Sequence, residues 1–504
     1  MGGSRLTRRH LIRMGAGAAL VGIPSGTVFA RRSHPQLTHG IQSGDVTKYT
    51  ACVWARGDRP SRMLLEVDRS PRFANAARID GPALTAASDF TGKVRLGNLP
   101  PATELFYRVT LEDPSNPGNR SDPLTGSLRT APADAAAGTS FVWSGDLAGQ
   151  GWGINPEFGG YRIFTAMADL DPDFFICCGD TIYADNPIPE TQTLPDGRVW
   201  RNVVTDAKAD VAQTLDQYRG QYAYNLLDTN LRAFAARVPQ INLWDDHETH
   251  NNWCPGTLID DDRYTERRAD VLAARARQAF LEWLPIPGER IYRRIPRGPH
   301  LDVFALDMRS YRDTNDRPVR GLLGAQQVAW LQRELAASTA TWKVIATDLP
   351  LGLVVPDPHG IEAMAQGDPG PPEGREAELA SVLSFAKRHG VSGIVTVTAD
   401  VHYTAAHHYD PARAAFTDFD PFWEFVSGPL NAGAAGPNEL DATFGPRAVF
   451  VSAPPRPNTS PAEGFQFFGH MAIDGPSGAL TVSLRDLDGG VLWAVTLPAP
   501  ERGR

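Results

Sequence analysis

Asp173-Phe-Phe-Ile-Cys-Cys178-Gly-Asp180-Thr-Ile-Tyr183-Ala-Asp185 is an apolar run that ends abruptly in Gly, Asp, Tyr and Asp. A short apolar run bounded this way reads as a buried strand, here Asp173–Cys178, followed by a loop. Neighbouring side chains on a strand point to opposite faces, so Cys177 and Cys178 should face opposite sides. One belongs to the core, and the other is free to face whatever the loop builds. The same texture recurs along the chain. Further strands are expected at Ser140–Ser144, Pro239–Trp244, Leu301–Leu306, Trp342–Thr347 and Gly393–Thr398. Helical segments are expected near Arg162–Ala168, Asp210–Ala236, Arg263–Trp283, Ala325–Ala337 and Arg375–His389. Such alternation predicts a layered α/β domain over residues 138–500. The Gly/Pro-rich stretch Gly360–Gly374 reads as a surface loop, with a lid as the alternative.

Upstream, residues 37–132 read as all-β. Thr50-Ala-Cys-Val-Trp-Ala55 and Met63-Leu-Leu-Glu-Val67 are short, apolar and bounded by Gly, Pro and Asp. Leu99-Pro-Pro-Ala-Thr-Glu-Leu-Phe-Tyr-Arg-Val109 has the strand entry of a fibronectin-type sandwich, with Tyr107 near a corner. No cluster of ligand-type side chains falls here, so the unit reads as a packing or binding module. A Pro/Ala/Gly-rich linker, Thr130–Gly138, separates it from the α/β part. The tail returns to strands, Leu480–Arg485 and Val491–Leu497, which form a hairpin.

The first 30 residues read as a removable address. Thr7-Arg-Arg-His-Leu-Ile-Arg13 places paired arginines before a weakly apolar stretch that ends at Val28-Phe-Ala30. This is similar to a twin-arginine export signal. It predicts passage through the twin-arginine translocation machinery and a secreted, periplasmic or cell-wall location. A membrane-anchoring helix is the alternative. Export in folded form would let the chain take up metal first. The 504 residues carry a formal net charge of −9. An acidic chain lacks the basic footprint of a stable nucleic-acid binder, although a local pocket for one phosphate is compatible with it. Four cysteines in so long an exported chain make no disulfide framework.

The chemistry gathers where strands end. In open α/β sheets, ligands bind beyond the carboxyl ends of the strands. One strand ends Val142-Trp-Ser-Gly-Asp146, and another runs into Asp180, Tyr183 and Asp185. A third ends Trp244-Asp-Asp246-His247-Glu248, and the last ends Thr398-Ala-Asp400-Val-His402-Tyr403. A single Asp after a strand usually forms a turn or caps a helix. Four such ends at one sheet edge repel one another unless cations neutralise them. This pattern predicts a dinuclear metal site.

Gly-Asp-x-x-Tyr, then Trp-Asp-Asp-His-Glu, then Asp-Val-His resembles the calcineurin-like metallophosphoesterase superfamily. Within it, the chain is similar to PhoD-type alkaline phosphatases and the related metal-dependent phospholipases D, over nearly its whole length. The resemblance implies a four-layer α/β/β/α sandwich preceded by a fibronectin- or immunoglobulin-like β-sandwich. It implies Asp146 as a first metal ligand and Asp180 as the carboxylate bridging two metals. It makes Tyr183 a tyrosinate ligand that marks a ferric site, and puts Asp246 where the common pattern has a ligand Asn. His247 takes the place of the His that contacts substrate or leaving group. Asp400 and His402 stand where the common pattern has His-x-His.

The departures carry information. Asp146 is followed by Leu and Ala, so the usual His ligand of that motif is absent. No His follows Trp342-Lys-Val-Ile-Ala-Thr-Asp348, which leaves Asp348 as the nearest ligand candidate. One site thus trades nitrogen for oxygen, which suits a hard cation such as Ca²⁺, with Asn252 as a weaker candidate ligand. The other keeps Tyr183 and His402, with Cys178 as a further candidate, which suits Fe³⁺ or another transition metal. Iron beside calcium is the expected pair, with Zn, Mn or Mg able to replace either.

Such ions would orient a phosphate and lower the pKa of a bound water for in-line attack. His247 would protonate or stabilise the leaving oxygen. Arg309 or Arg312 would bind the phosphate by bidentate contacts, or else form a surface salt-bridge network. The expected function is hydrolysis of phosphate mono- or diesters of small molecules, nucleotides included. The alternative is a phospholipase D that releases lipid headgroups, which would entail peripheral membrane contact. A non-catalytic binding protein is the remaining reading, and intact Asp180, Tyr183, Asp246 and His247 argue against it.

Overall fold

The computed structural model describes residues 34–315, 321–358, 360–368 and 370–501. The export signal expected over residues 1–30 lies outside the described residues. Strands Thr139–Ser144, Phe174–Cys177 and Gln240–Asn242 pair in parallel and are buried along nearly their whole length. A parallel strand that is apolar on both sides has to be covered on both faces, and two sheets packed face to face supply that cover. Antiparallel strands Phe467–Ile473, Leu480–Asp486 and Val491–Leu497 extend the first sheet on one side, the last two as the expected hairpin. On the other side Leu37–Gly44 joins it in parallel, and Ala51–Gly57 and Thr91–Leu96 complete nine strands.

The second sheet has seven strands, with Leu301–Ala305, Trp342–Ala346, Ile394–Thr398 and Phe422–Val426 in parallel. Phe141, Ile176, Cys178 and Ile241 of the first sheet meet Val303, Val344, Val397 and Phe425 of the second. Helices Leu215–Asn225, Thr229–Arg237 and Ala269–Trp283 bury Tyr222, Phe234 and Phe280 against the outer face of the first sheet. Ala325–Ala337 and Gly374–Arg388 cover the second through Leu331 and Leu383. The layers are α/β/β/α, as expected. Cys177 falls on the helix side and Cys178 between the sheets.

The N-terminal sandwich is present, but its two sheets are not equal partners. Ser61–Asp68, Ala77–Leu84, Glu104–Glu112 and Leu124–Arg129 form a separate four-stranded sheet. Alternation along Ser61–Asp68 turns Met63, Leu65 and Val67 inward. They pack on Ile41, Val53 and Val94, which belong to the nine-stranded sheet. The sandwich therefore shares its second sheet with the α/β part. Further ties cross the same seam. Trp54 Nε1 donates to the Glu282 carbonyl at 2.8 Å, Arg293 pairs with Asp45 at 2.6 Å, and Tyr107 Oη donates to the Ala236 carbonyl at 3.0 Å.

Three segments differ from the sequence reading. Asp210–Ala236 is two helices, because the Asp228 carboxylate accepts from Leu231 N at 2.8 Å and starts a new one at Thr229. The helix expected from Arg263 begins only at Ala269. Gly360–Gly374 is not simply a surface loop: Gly360–Ile361 pairs with Pro356–Asp357, and Glu362–Gln366 is buried.

Tyr107→Phe removes the donor to Ala236. It is expected to lower stability by about 1 kcal/mol, read as a lower urea midpoint at unchanged slope. An unchanged midpoint would mean that this contact does not help hold sandwich to helix.

Candidate functional site

The carboxyl ends of the parallel strands meet at one edge, where the departing loops stitch the sheets together. Leu147 N donates to the Asp180 carbonyl at 2.9 Å, Ala184 N to that of His247 at 2.8 Å, and Leu430 N to that of Gly145 at 2.8 Å. The backbone turns sharply here. Asp146 (φ 66°), Asp180 (φ 49°), Asp400 (φ 66°) and His402 (φ 60°) all lie in the left-handed region. Asp tolerates that region better than most residues, but a run of such positions stores strain, and strain of this kind collects at functional sites. Gly428 allows the crowding, since a Cβ there would lie 2.1 Å from Asp146 Oδ2.

Two groups of ligand-type side chains result. Asp146, Asp180 and His402 form one, and Asp180, Asp246 and His247 the other, with donor atoms in each group within 4.8 Å of one another. Asp180 belongs to both. Tyr183 joins the first group, its hydroxyl 2.8 Å from His402 Nε2. Its ring stacks on His247 with centroids 4.2 Å apart, and a Cβ at Gly149 would come within 2.5 Å of it. His402 Nδ1 lies 2.6 Å from the Gly433 carbonyl. Donating there leaves the Nε2 lone pair to accept from the Tyr183 hydroxyl. Burial lowers the His402 pKa to about 4, so the ring is neutral.

The carboxyls are poorly served by the protein alone. Burial first, and neighbouring carboxylates next, raise Asp146, Asp180, Asp348 and Asp400 well above the usual carboxylate range. Among the described residues, the buried Asp146 Oδ2, Asp245 Oδ2, Asp400 Oδ2 and both oxygens of Asp348 have no hydrogen-bond partner. Orphaned oxygens of this kind fit hard cations, and a phenol–imidazole pair fits a transition metal. The donor set therefore fits metal cofactors.

A surrounding shell fixes these groups. The fully buried Glu248 carboxylate accepts from Asp180 N at 3.2 Å, Thr181 N at 2.7 Å and Asp245 N at 2.8 Å. One side chain thus sets two ligand-bearing loops in register. His247 Nδ1 lies 2.8 Å from Asp185, which also accepts from Asn251 N at 2.9 Å. Burial opposes a charge on His247, yet Asp185 and Asp246 outweigh it and raise its pKa to about 10. Bound cations would bring that value down.

Several expected residues take other places. Arg309 is 0% exposed, which leaves no face for a phosphate. It pairs with Asp245 at 2.5 Å and with Glu362, and lies 3.6 Å from Asp348 and 3.9 Å from Asp246. Arg312, equally buried, lies 3.3 Å from Glu362 and donates to Asn315 at 2.7 Å. Both are internal counter-charges, neither a phosphate clamp nor a surface network. Cys178 joins neither ligand group. It packs in the apolar cluster between the sheets, and burial raises its thiol well above the usual range. Asn252 orients Asp246, donating from its backbone N to Oδ2 at 2.6 Å, while its amide donates to Asp357. Asp348 is brought to the cluster beside Arg309, and Asp400 N donates to Asp146 Oδ1 at 3.2 Å. The sequence reading missed Glu248 and Glu362. Glu248 lay inside the quoted motif, whereas nothing in the Gly/Pro-rich stretch marked Glu362.

Arg309→Met would strand Asp245 and Glu362 in the interior. The expected cost is about 3–5 kcal/mol, read as a lower melting midpoint. A normal midpoint with only a raised KM would instead make Arg309 a substrate contact.

The sequence matches the PhoD-like phosphatase family over residues 141–484, and that family's N-terminal domain over residues 24–132. Alkaline phosphatase D of Bacillus subtilis (strain 168) is 26% identical over 443 residues, 80% of this chain and 70% of that protein. The solved structure of PhoD superposes with a TM-score of 0.69 at 21% identity, covering 91% of this chain and 88% of that one. Purple acid phosphatase PPD1 from yellow lupin (Lupinus luteus) seeds superposes with a TM-score of 0.62 at 13% identity, covering 93% and 75%. At these identities the superpositions speak for the fold alone. The family match runs through every strand end that carries the site, and the chain belongs to the PhoD-like phosphatase family as a metal-dependent phosphoesterase.

Proposed function

We propose that this phosphoesterase holds two unlike cations, Fe³⁺ by Asp146, Asp180, Tyr183 and His402, and Ca²⁺ by Asp180, Asp246 and Asp400. The observation that carries the reading is Asp180, shared between the Asp146 and His402 group, which the Tyr183 phenol joins, and the group it makes with Asp246 and His247. Cations bound there would take up phosphate oxygens and make a water a better nucleophile for in-line attack. The side chains do the rest. Asp180 sets the spacing of the two sites. His247, held at Nδ1 by Asp185, is left with Nε2 to give a proton to the leaving oxygen. Arg309 offsets acidic charge from within, through Asp245 and Glu362.

The substrates in this reading are phosphate mono- or diesters of small molecules, and the alkaline phosphatase D relative supports that class. The reading includes export. Arg8-Arg9 and the apolar stretch after them support passage through the twin-arginine machinery to a periplasmic, wall or external site.

Protein purified from its native export route should show a visible phenolate-to-iron band, and Tyr183→Phe should lose it while the fold persists. A calcium chelator should abolish hydrolysis reversibly without bleaching that band. A colourless wild type would remove iron from the account, and full activity in excess chelator would remove calcium.

A further inference from the structure

Lys208 closes the short Asp206–Lys208 turn and is 1% exposed, behind the loop that carries Tyr183 and Asp185. Its Nζ donates to the Tyr183 carbonyl at 2.9 Å and to Gln221 Oε1 at 2.6 Å. Both acceptors are neutral. The same nitrogen lies over the Tyr224 ring, 5.7 Å from its centroid. Asp185 is the acid whose charge acts on it. Lysine is almost never buried so fully against neutral partners, because its head group gives up water that they replace poorly. Buried titratable groups of this kind collect at functional sites.

The contact falls on the stretch that both halves of the site depend on. Tyr183 carries the phenol that lies 2.8 Å from His402 Nε2, and Asp185 carries the carboxylate that holds His247 Nδ1 at 2.8 Å. Only Ala184 separates them. Ala184 is secured by backbone bonds, its N donating to the His247 carbonyl and its carbonyl accepting from Ala212 N, each at 2.8 Å. The Tyr183 carbonyl is secured by the Lys208 side chain. Lys208 is braced in turn. Its own carbonyl accepts from Ile188 N at 2.8 Å. Gln221, on the helix Leu215–Asn225, donates to the Ala207 carbonyl at 2.5 Å while it accepts from Nζ. Gln221 thus fixes the turn and aims the amine, and a continuous path runs from helix to turn to Nζ to the Tyr183–Asp185 segment.

We propose that Lys208 is a positioning residue of the hydrolytic centre: through the Tyr183 carbonyl it sets the phenol against His402 and the Asp185 carboxylate against His247 together. The assignment rests on the reading above, in which Tyr183 is an iron ligand and His247 gives a proton to the leaving oxygen. Without the amine, a buried carbonyl loses its donor and has to find another or move toward water. A shift of the Tyr183 backbone carries the phenol and the nearby Asp185 with it, and His247 loses its hold at Nδ1. A misplacement of about 1 Å is enough to cost catalysis heavily.

The test uses metal-loaded full-length Lys208→Met, which keeps the length of the side chain and removes its donors. Two signatures are read beside the melting midpoint. The first is the visible phenolate-to-iron band. The second is the ratio of kcat/KM for 4-nitrophenyl phosphate to that for phenyl phosphate, whose poorer leaving oxygen depends more on a donated proton. Each ester is also offered as its methyl diester. The variant should bind metal, shift or weaken the band, and raise the ratio about tenfold. Lys208→Gln restores an N–H donor of shorter reach. It should fall between wild type and Lys208→Met, and it carries the comparison if Lys208→Met does not fold. A folded variant with a wild-type band and a wild-type ratio overturns the assignment, even if its midpoint is lower. Movement of one signature alone also overturns it, because one contact sets both. Failure of both variants to fold makes Lys208 a structural residue and overturns it as well. A wild type that cleaves the esters but shows no band removes iron from the reading above, and the ratio then decides the role of Lys208 by itself. A wild type that cleaves neither ester ends the phosphoesterase reading and this assignment with it.

Discussion

Carboxylates crowded at a dry sheet edge require positive charge, and the architecture around that edge answers the requirement. Asp146, Asp180, Asp245, Asp246 and Asp348 are each at most 2% exposed. In so low a dielectric they cannot all ionise without compensation. The protein supplies part of it from within, through Arg309 and its contacts to Asp245 and Glu362. The oxygens that have no hydrogen bond among the described residues, such as Asp146 Oδ2 and Asp400 Oδ2, fit bound cations. A fixed guanidinium and exchangeable metal ions thus divide one electrostatic task.

The scaffold explains why these groups meet at all. Parallel strands in both sheets run toward the same edge, so each delivers its following loop there. Left-handed turns at Asp146, Asp180 and Asp400 fold those loops back over the strand ends. Glu248 then locks two of them together through three backbone N–H groups. The N-terminal sandwich braces the far side of the same sheet. Its strands Leu37–Gly44, Ala51–Gly57 and Thr91–Leu96 extend the sheet that carries Asp146 and Asp180, so its packing bears on the site's frame.

Much of this was legible in the sequence, and the remainder was hidden for physical reasons. Strands such as Leu301–Ala305 and Ile394–Thr398 announce themselves because burial on both faces demands unbroken apolar runs. Asp180, Tyr183, Asp246 and His402 stand directly after such runs, where the fold has to present them. The break at Asp228 was obscured because a cap inside a helix-favouring stretch looks like any exposed Asp. Arg309 was misread because a buried counter-charge and a substrate clamp use the same residue type, and only packing tells them apart. Alternation placed Cys177 and Cys178 on opposite faces, yet it could not say that both faces are apolar. The shared sheet depends on Gly44 pairing with Gln240, a long-range contact with no local signature.

In the proposed arrangement Asp180 joins two metal sites into one hydrolytic centre. Its most direct test is the metal content of the purified protein and of Asp180→Asn, measured beside hydrolysis of a simple phosphate ester. The expected result is bound cations in the wild type, loss of both kinds in the variant, and hydrolysis falling to background while the chain stays folded. A wild type that carries no metal, or an Asp180→Asn protein that hydrolyses the ester normally, would contradict it.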